Sequence, residues 1–339
     1  MPKNNPIRSG LAKVPTGLSP LARARLLTGQ KLIVIVGPTA SGKSGLGIKL
    51  ALRLSSGQAK KYGIHGAEII SADSRQVYRG MDIGTGKVTK KEQKMARHHL
   101  IDIASPKKQF TASDFNKLGQ KALIDIASRS KIPIIVGGTG FYIDILLGRM
   151  TVAQVPPNLK LRKRFDKLST NHLFKMLRKL DPQRAGAIDP YNKRRLIRAL
   201  EIVQTTGQPV PKSKFDPPAG GPNSKFDILW IGINPGKEQL AKNIKSRLEK
   251  RLKQDMVEEV KNLIKNGVSH KRLQKFGLEY KWLSLYLQNK ISYEEMKENL
   301  YRDIVRYSKR QMTWFKKNKE IKWLEDGKSA EYLIRRFIS

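Results

Sequence analysis

Lys31-Leu32-Ile33-Val34-Ile35-Val36-Gly37-Pro38-Thr39-Ala40-Ser41-Gly42-Lys43-Ser44 decides the fold. Its opening is a short, continuous apolar run rich in β-branched residues, the pattern of a strand buried on both faces. The remainder reads Gly, four residues, then Gly-Lys-Ser, the phosphate-loop pattern. Leu46 to Leu54 follows with helical spacing. A buried strand before such a loop and a helix after it is the context in which the pattern binds phosphate. Glycines let backbone N–H groups curl around phosphate oxygens, and the helix N-terminus adds positive dipole. Lys43 adds a point charge, and the Ser44 hydroxyl can hold Mg²⁺. Residues Gly37, Pro38, Thr39, Ala40, Ser41, Gly42, Lys43 and Ser44 are therefore the expected pyrophosphate or nucleotide site. The loop alone suits the β- and γ-phosphates of a nucleotide or a free pyrophosphate equally.

Working outward, Ala67-Glu68-Ile69-Ile70-Ser71 and Ile132-Pro133-Ile134-Ile135-Val136 read as further buried strands, with a helix between Asp114 and Ser128. Phe226 to Ile233 returns to strand character. Strands alternating with helices predict an α/β fold, a parallel sheet of the P-loop NTPase type. Between Thr151 and Val210 thirteen Lys and Arg face four Asp and Glu, strand signal is weak, and Pro-containing breaks separate three or four short helices. The expected organisation is a basic arm over 1–29, the first part of the core over 30–150, and a basic helical insertion over 151–225. The insertion ends in a Pro/Gly/Ser-rich linker at 211–225. Core completion and C-terminal helices over 226–339 follow, helical from Lys237 to about Phe337.

Composition narrows the function. The 339 residues hold 67 Lys plus Arg, 28 Asp plus Glu and no Cys, a formal charge of +39. Without cysteine there is no disulfide scaffold, thiolate zinc site, iron–sulfur cluster or cysteine nucleophile. The longest apolar runs are far short of the ~20 residues a membrane-spanning helix needs, and the basic N-terminus lacks the apolar core of a secretory signal. A soluble, cytoplasmic, monomeric protein is expected, away from membranes. Such a surface attracts polyanions, and nucleic acid is the expected partner.

The second strand runs into Ser71-Ala72-Asp73-Ser74-Arg75-Gln76 and on to Gly84-Thr85-Gly86-Lys87. An Asp at the carboxyl end of a parallel strand stands in the crevice where such sheets bind ligands. Asp73 there is a base, a metal-organising carboxylate, or a cap for its own turn. The third strand ends in Gly137-Gly138-Thr139-Gly140, which either presents Thr139 to the same crevice or makes a plain turn. His98 and His99 lack a third ligand at metal-binding spacing and, being adjacent on a strand, point to opposite faces, so a packing role is expected. Arg194 and Arg198 share a helix face.

These segments, together with His98–Ile103, Arg194–Glu201 and Ser308–Phe315, resemble the tRNA dimethylallyltransferases, in that family's order and nearly its spacing over about residues 31–325. The phrase from Asp73 through Lys87 is specific to them. The resemblance implies transfer of a dimethylallyl group from its pyrophosphate to N6 of adenosine 37 of tRNA, with Mg²⁺ as cofactor and the anticodon stem-loop as partner. It implies that Asp73 is the base, that Thr139 and Lys43 act at the reacting centre, and that Arg247 attends the pyrophosphate. It further implies tRNA contacts by Asp73, Ser74, Arg75, Gln76 and Thr139, by Lys160, and by Arg194, Arg195, Leu196, Ile197 and Arg198. Lys160 stands where the family has an arginine, and Asn243 replaces another; these departures are expected to lie off the pyrophosphate core. The Cys-free chain cannot carry the zinc finger of the eukaryotic members and so resembles the bacterial ones. Prenylation of free adenine nucleotides, a P-loop nucleotide kinase and a non-catalytic RNA-binding protein are the competing readings.

Overall fold

A computed structural model describes residues 28–57, 59–151, 153, 155–211, 226–326 and 329–339. Nearly all of the expected basic arm and of the expected linker at 211–225 lies outside the described residues. The chain divides into two compact units, Met1–Leu146 with Pro222–Ser339, and Leu147–Gly221.

In the first unit, β1 (Lys31–Val36), β2 (Ala67–Ser71), β3 (His98–His99), β4 (Ile132–Gly137), β5 (Asp227–Ile233) and β6 (Lys322–Leu324) form one sheet in the order β3-β2-β4-β1-β5-β6. Every neighbouring pair is parallel. This is the α/β architecture that the alternating pattern predicts. β3 falls on the His98-His99 pair expected on a strand, whereas β6 was not legible: a Lys-Trp-Leu triplet is too short to carry a period. β6 also corrects the expectation of unbroken helix from Lys237 onward.

The helices of this unit are α1 (Lys43–Ser55), α2 (Lys90–Met95), α3 (Ala112–Ser128) and α4 (Gly140–Leu146). Those of the second unit are α5 (Leu159–Asp166), α6 (Thr170–Leu180), α7 (Pro182–Ala187) and α8 (Lys193–Thr206). The first unit resumes with α9 (Lys237–Lys253), α10 (Met256–Lys265), α11 (His270–Phe276), α12 (Leu278–Tyr286), α13 (Tyr293–Phe315) and α14 (Ala330–Ile338).

Register positions the site. Val36 pairs with Gly137, and Ser71 with Val136, so β1, β4 and β2 end at one level. The segments that leave them, 37–44, 138–139 and 72–73, therefore emerge side by side at the carboxyl edge. β4 lies between the other two, which sets their ends about 10 Å apart. A Cβ on Gly137 would fall 2.1 Å from the Ala72 carbonyl oxygen, so only glycine closes this edge. Leu32 to Val36 are fully buried, as a strand covered on both faces requires.

The second unit packs its own core from Phe165, Leu173, Leu177, Ala185, Ile188, Leu196 and Leu200. Asn158, Ser169, Asp181 and Asn192 cap its four helices through side-chain oxygens. Glu201 is fully buried there. Its carboxylate accepts from Asn158 N, from Arg162 Nε and Nη2 (2.7 Å each), and from Arg198 Nη1 at 2.5 Å. Burial pushes its pKa up, but the hydrogen bonds from Arg162, Arg198 and Asn158 prevail and hold it at about 2.

A carboxyl depressed in the folded state contributes stability above its unfolded pKa and loses it as pH falls through the folded value. The Glu201 contribution is thus expected to fade between about pH 4.5 and 2. Glu201→Gln should remove that pH dependence and cost about 3 kcal/mol at neutral pH, because two arginines lose their buried partner. Denaturant melts of both proteins across this range check it; a variant as stable as wild type at pH 7 would refute the account.

Candidate active site

The phosphate loop is shaped by three residues with positive φ. Gly37 (φ 152°) passes so close to β5 that a Cβ would lie 2.6 Å from Ile233 O. Ala40 takes φ 64°, and Gly42, at φ 89°, starts α1 without a side-chain cap. The first amides of α1 are left to an incoming anion. The crest is held from behind: Thr39 N donates to Gln311 Oε1 (2.8 Å), Arg247 Nη2 donates to Thr39 Oγ1, and Asn243 Nδ2 donates to Ala40 O (3.2 Å).

Asn243 thus braces the phosphate loop, contrary to the expectation that this departure lies away from it.

Lys43 turns its Nζ back to Pro38 O at 2.9 Å. Burial, and then the positive charge of Arg247, lower its pKa to about 8, against an opposing pull from Asp73. Arg247 is lowered to about 10 by burial and by Arg251. Two cations thus sit close together at the loop, short of negative charge.

Lys43, Ser44, Ser71, Asp73, Thr85 and His98 line one pocket. Asp73 Oδ1 accepts from Arg75 N (2.8 Å) and Gln76 N (3.3 Å), so the Asp does cap its turn. Its Oδ2 has no hydrogen-bond partner among the described residues. One oxygen fixes the carboxylate and the other is open for chemistry. Thr139 Oγ1 accepts from Ser74 N at 3.2 Å, and Thr139 N donates to Ala72 O at 3.2 Å, which ties the β4 turn to the Asp73 turn. Tyr307 stands beside them; burial, and then the Asp73 charge, push its phenol up to about 12.

The Asp73–Lys87 phrase is scaffolded by the C-terminal helices. Glu259 accepts from the amides of Asp82, Ile83 and Gly84 (2.7, 2.6 and 3.1 Å) and from Tyr280 Oη (2.8 Å). Arg251 Nη1 donates to Gly84 O at 3.1 Å. Lys87 Nζ donates to Tyr78 O, Asp82 and Asp102. Glu259, Arg251, Tyr307 and Gln311 escaped the sequence reading. Only Gln311 left a signal, as an amide on the buried Ser308, Gln311, Phe315 face of α13.

Several expected tRNA contacts are corrected. Leu196 and Ile197 are core residues of the second unit. Arg198, only partly exposed, is held by Glu201 and by Val155 O. Gln76 is buried, with its amide engaged by Ser71 Oγ and Gly86 O. Arg75 grips Phe276 O through Nε and Nη2 (3.0 and 2.6 Å). Side chains in a helix segment alternate between core and solvent, so a motif marks a segment without saying which of its residues face outward. Lys160, Arg194 and Arg195 are exposed.

His98 Nδ1 donates to Ala96 O at 2.7 Å, whereas His99 Nε2 meets Glu68 at 2.8 Å. Glu68, His99 and Asp125 bring ligand-type atoms together. Arg129 binds both carboxylates and Lys131 binds Glu68, so these cations already supply the cluster's positive charge.

Because the folded pKa of Lys43 is depressed, the unfolded chain holds a proton that the folded one releases between about pH 8 and 10.5, and stability from this group rises with pH there. Lys43→Met should therefore raise the melting temperature of the ligand-free protein by about 3 °C while weakening inorganic pyrophosphate binding at least ~100-fold. Calorimetry measures both; a lowered melting temperature would show that the lysine charge is not strained.

The sequence model of the IPP transferase family matches residues 76–318. A tRNA dimethylallyltransferase of Caldanaerobacter subterraneus subsp. tengcongensis is 38% identical over 311 residues, covering 89% of this chain and 95% of that one. The crystal structure of a full-length tRNA isopentenylpyrophosphate transferase from Bacillus halodurans superposes with a TM-score of 0.64 at 32% identity, covering 91% and 97% of the two chains. A eukaryotic dimethylallyltransferase, captured in crystallographic snapshots acting on tRNA, gives 0.68 at 25% identity over 91% of this chain and 78% of that one. With a phosphate loop, an open carboxylate and this likeness over most of its length, the chain belongs to the IPP transferase family.

Proposed function

We propose that this chain is a tRNA dimethylallyltransferase, moving the dimethylallyl group of dimethylallyl pyrophosphate to N6 of adenosine 37 in the anticodon loop of tRNA. The observation that carries the reading is that the phosphate-loop residues Lys43 and Ser44 line the same pocket as Asp73. An exocyclic adenine amine is a poor nucleophile because its lone pair is delocalised into the ring. It therefore needs a base and an electrophile with a good leaving group.

The allylic C–O bond breaks with its electron pair going to pyrophosphate, the N6–C bond forms, and the N6 proton passes to Asp73 Oδ2. Lys43, Arg247 and the uncapped start of α1 receive the charge that develops on pyrophosphate. Thr139, bonded to Ser74 N, holds the Asp73 turn against the β4 turn. The Ser44 hydroxyl is a hard oxygen donor lining the pocket, of the kind that suits Mg²⁺. Bound there, the ion would supply further neutralisation of the pyrophosphate charge.

The acceptor base must leave its stack to reach a pocket of this kind. Exposed Lys160, Arg194 and Arg195, on a chain of charge +39, support backbone contacts to the tRNA. No helix among the described residues is long and apolar enough to cross a membrane. The reading places the chain in the cytoplasm, as a monomer.

The test incubates an unmodified anticodon stem-loop carrying adenosines at 36, 37 and 38 with protein, Mg²⁺ and dimethylallyl pyrophosphate, with AMP and ATP as parallel acceptors. Mass spectrometry of the nucleosides should show one added C5H8 unit on the RNA adenosine, reduced about 10³-fold by Asp73→Ala. Product on AMP or ATP alone, or ATP consumption without prenylation, would sink the proposal. Arg194→Ala with Arg195→Ala should flatten the log–log salt dependence of stem-loop binding by about 1.4 and leave the KM for dimethylallyl pyrophosphate unchanged. An unchanged slope would remove these arginines from the interface.

A further inference from the structure

Gln311, near the end of α13, is buried, and both ends of its amide are engaged by backbone. Oε1 accepts from Thr39 N (2.8 Å) at the crest of the phosphate loop, and Nε2 donates to Gly138 O (2.9 Å) in the turn that carries Thr139. The amide orientation is fixed by chemistry: an N–H only donates and a carbonyl only accepts, so a flipped amide would lose both bonds.

Gly138 is cut to fit. A Cβ there would lie 2.2 Å from Gln311 Nε2 and 3.7 Å from Lys43 Cε. One turn further along α13, Trp314 Nε1 donates to Asp144 Oδ2 at 2.8 Å, and its ring lies against Gly140, where a Cβ would approach to 2.2 Å. The helix therefore lies along the β4 turn through two successive contacts, and Gln311 alone of the two also reaches the phosphate loop.

We propose that Gln311 is a positioning residue, a two-ended clamp that fixes the distance between the pyrophosphate cradle and the Thr139–Asp73 turns, so that the allylic carbon and the attacking amine meet in line. Both ends of its amide are committed to backbone groups. One loop presents the leaving group and the other anchors the base, and they belong to different strands. Thr139 is tied to the Asp73 turn by its N–H to Ala72 O and by its Oγ1 accepting from Ser74 N; the Thr39–Gly138 link through the Gln311 amide adds a direct hydrogen-bonded tie from the β4 turn to the crest of the phosphate loop. Misplacement of reacting groups by a fraction of an ångström lowers the rate strongly while binding survives.

The proposal rests on the transferase reading, and the test separates the two. Wild type, Gln311→Glu and Gln311→Met are compared for melting temperature, for KM of dimethylallyl pyrophosphate and for kcat on saturating stem-loop. The glutamate keeps an acceptor for Thr39 N but cannot donate to Gly138 O; the methionine keeps the volume and neither bond. Expected are a kcat at least tenfold down in both, a pyrophosphate KM within threefold of wild type for Gln311→Glu, and a clear KM rise for Gln311→Met. Should the methionine variant fail to fold, the glutamate split alone decides. Wild-type kcat in Gln311→Glu, or a raised KM with unchanged kcat, would overturn the clamp. Wild type failing to prenylate the stem-loop would overturn the transferase reading instead.

Discussion

Three parallel strands end at one level, and the site depends on that constraint. The Gly137 backbone packs against Ala72 so closely that no side chain fits between them, and this closeness brings the turns after β2 and β4 together. Behind the edge, α1 also lies tight on β4: a Cβ at Gly47 would fall 2.7 Å from Val136 Cγ2. The helix that supplies the anion-binding amides is thereby held to the same strand as Thr139. Protein interiors are close-packed and transmit small shifts, so a change at this edge would move the phosphate loop and the carboxylate together.

The resting site is held together mainly by backbone partners and leaves its charges unbalanced. Asp73 is the one carboxylate turned to the same pocket; the others nearby are occupied elsewhere: Glu259 holds three backbone amides and a tyrosine hydroxyl, and Glu279 faces Arg251. Burial raises the Glu279 pKa, which further weakens it as a counter-charge. Lys43 and Arg247 accordingly lean on neutral oxygens, Pro38 O and Thr39 Oγ1. A diphosphate supplies the negative charge that the fold withholds. That fits a reaction whose leaving group carries more charge than its substrate ester.

The sheet and the loop were legible because they are written locally. β1, β4 and β5 carry short apolar runs and β2 an Ile-Ile core flanked by small residues and Glu68, and the phosphate loop is one contiguous pattern. The Asp73 turn was legible as well, including the alternative that it caps itself; the structure shows capping and an open oxygen together. What stayed hidden is held by side chains far away in sequence. Gln311 and Glu259 each satisfy loop amides more than 170 residues distant; helical periodicity can put Gln311 on a buried face, but it does not name the partner. The arginine-rich segment of α8 misled in the opposite way. Its motif is contiguous, but Leu196, Ile197 and Arg198 serve the internal packing of their own unit.

Burial also sharpens the meaning of the net charge. Among the described residues six acidic ones, Glu68, Asp125, Asp144, Asp181, Glu201 and Glu279, are buried, against Lys87 and Arg251. Interior acids pair with arginine and lysine side chains that reach in from the surface, or hold backbone and indole N–H groups, so the cations left unpaired on the surface carry the net charge of +39 and its outward field. Such a field speeds the capture of any polyanion and distinguishes poorly among them. Discrimination must then come from what the field cannot supply: an unstacked base presented to Asp73 while an allylic diphosphate occupies the loop. A stem-loop offers the first, and the shortage of negative charge at Lys43 and Arg247 calls for the second. On the proposed reading, affinity for RNA is spread over the surface, while selectivity is confined to one strand edge.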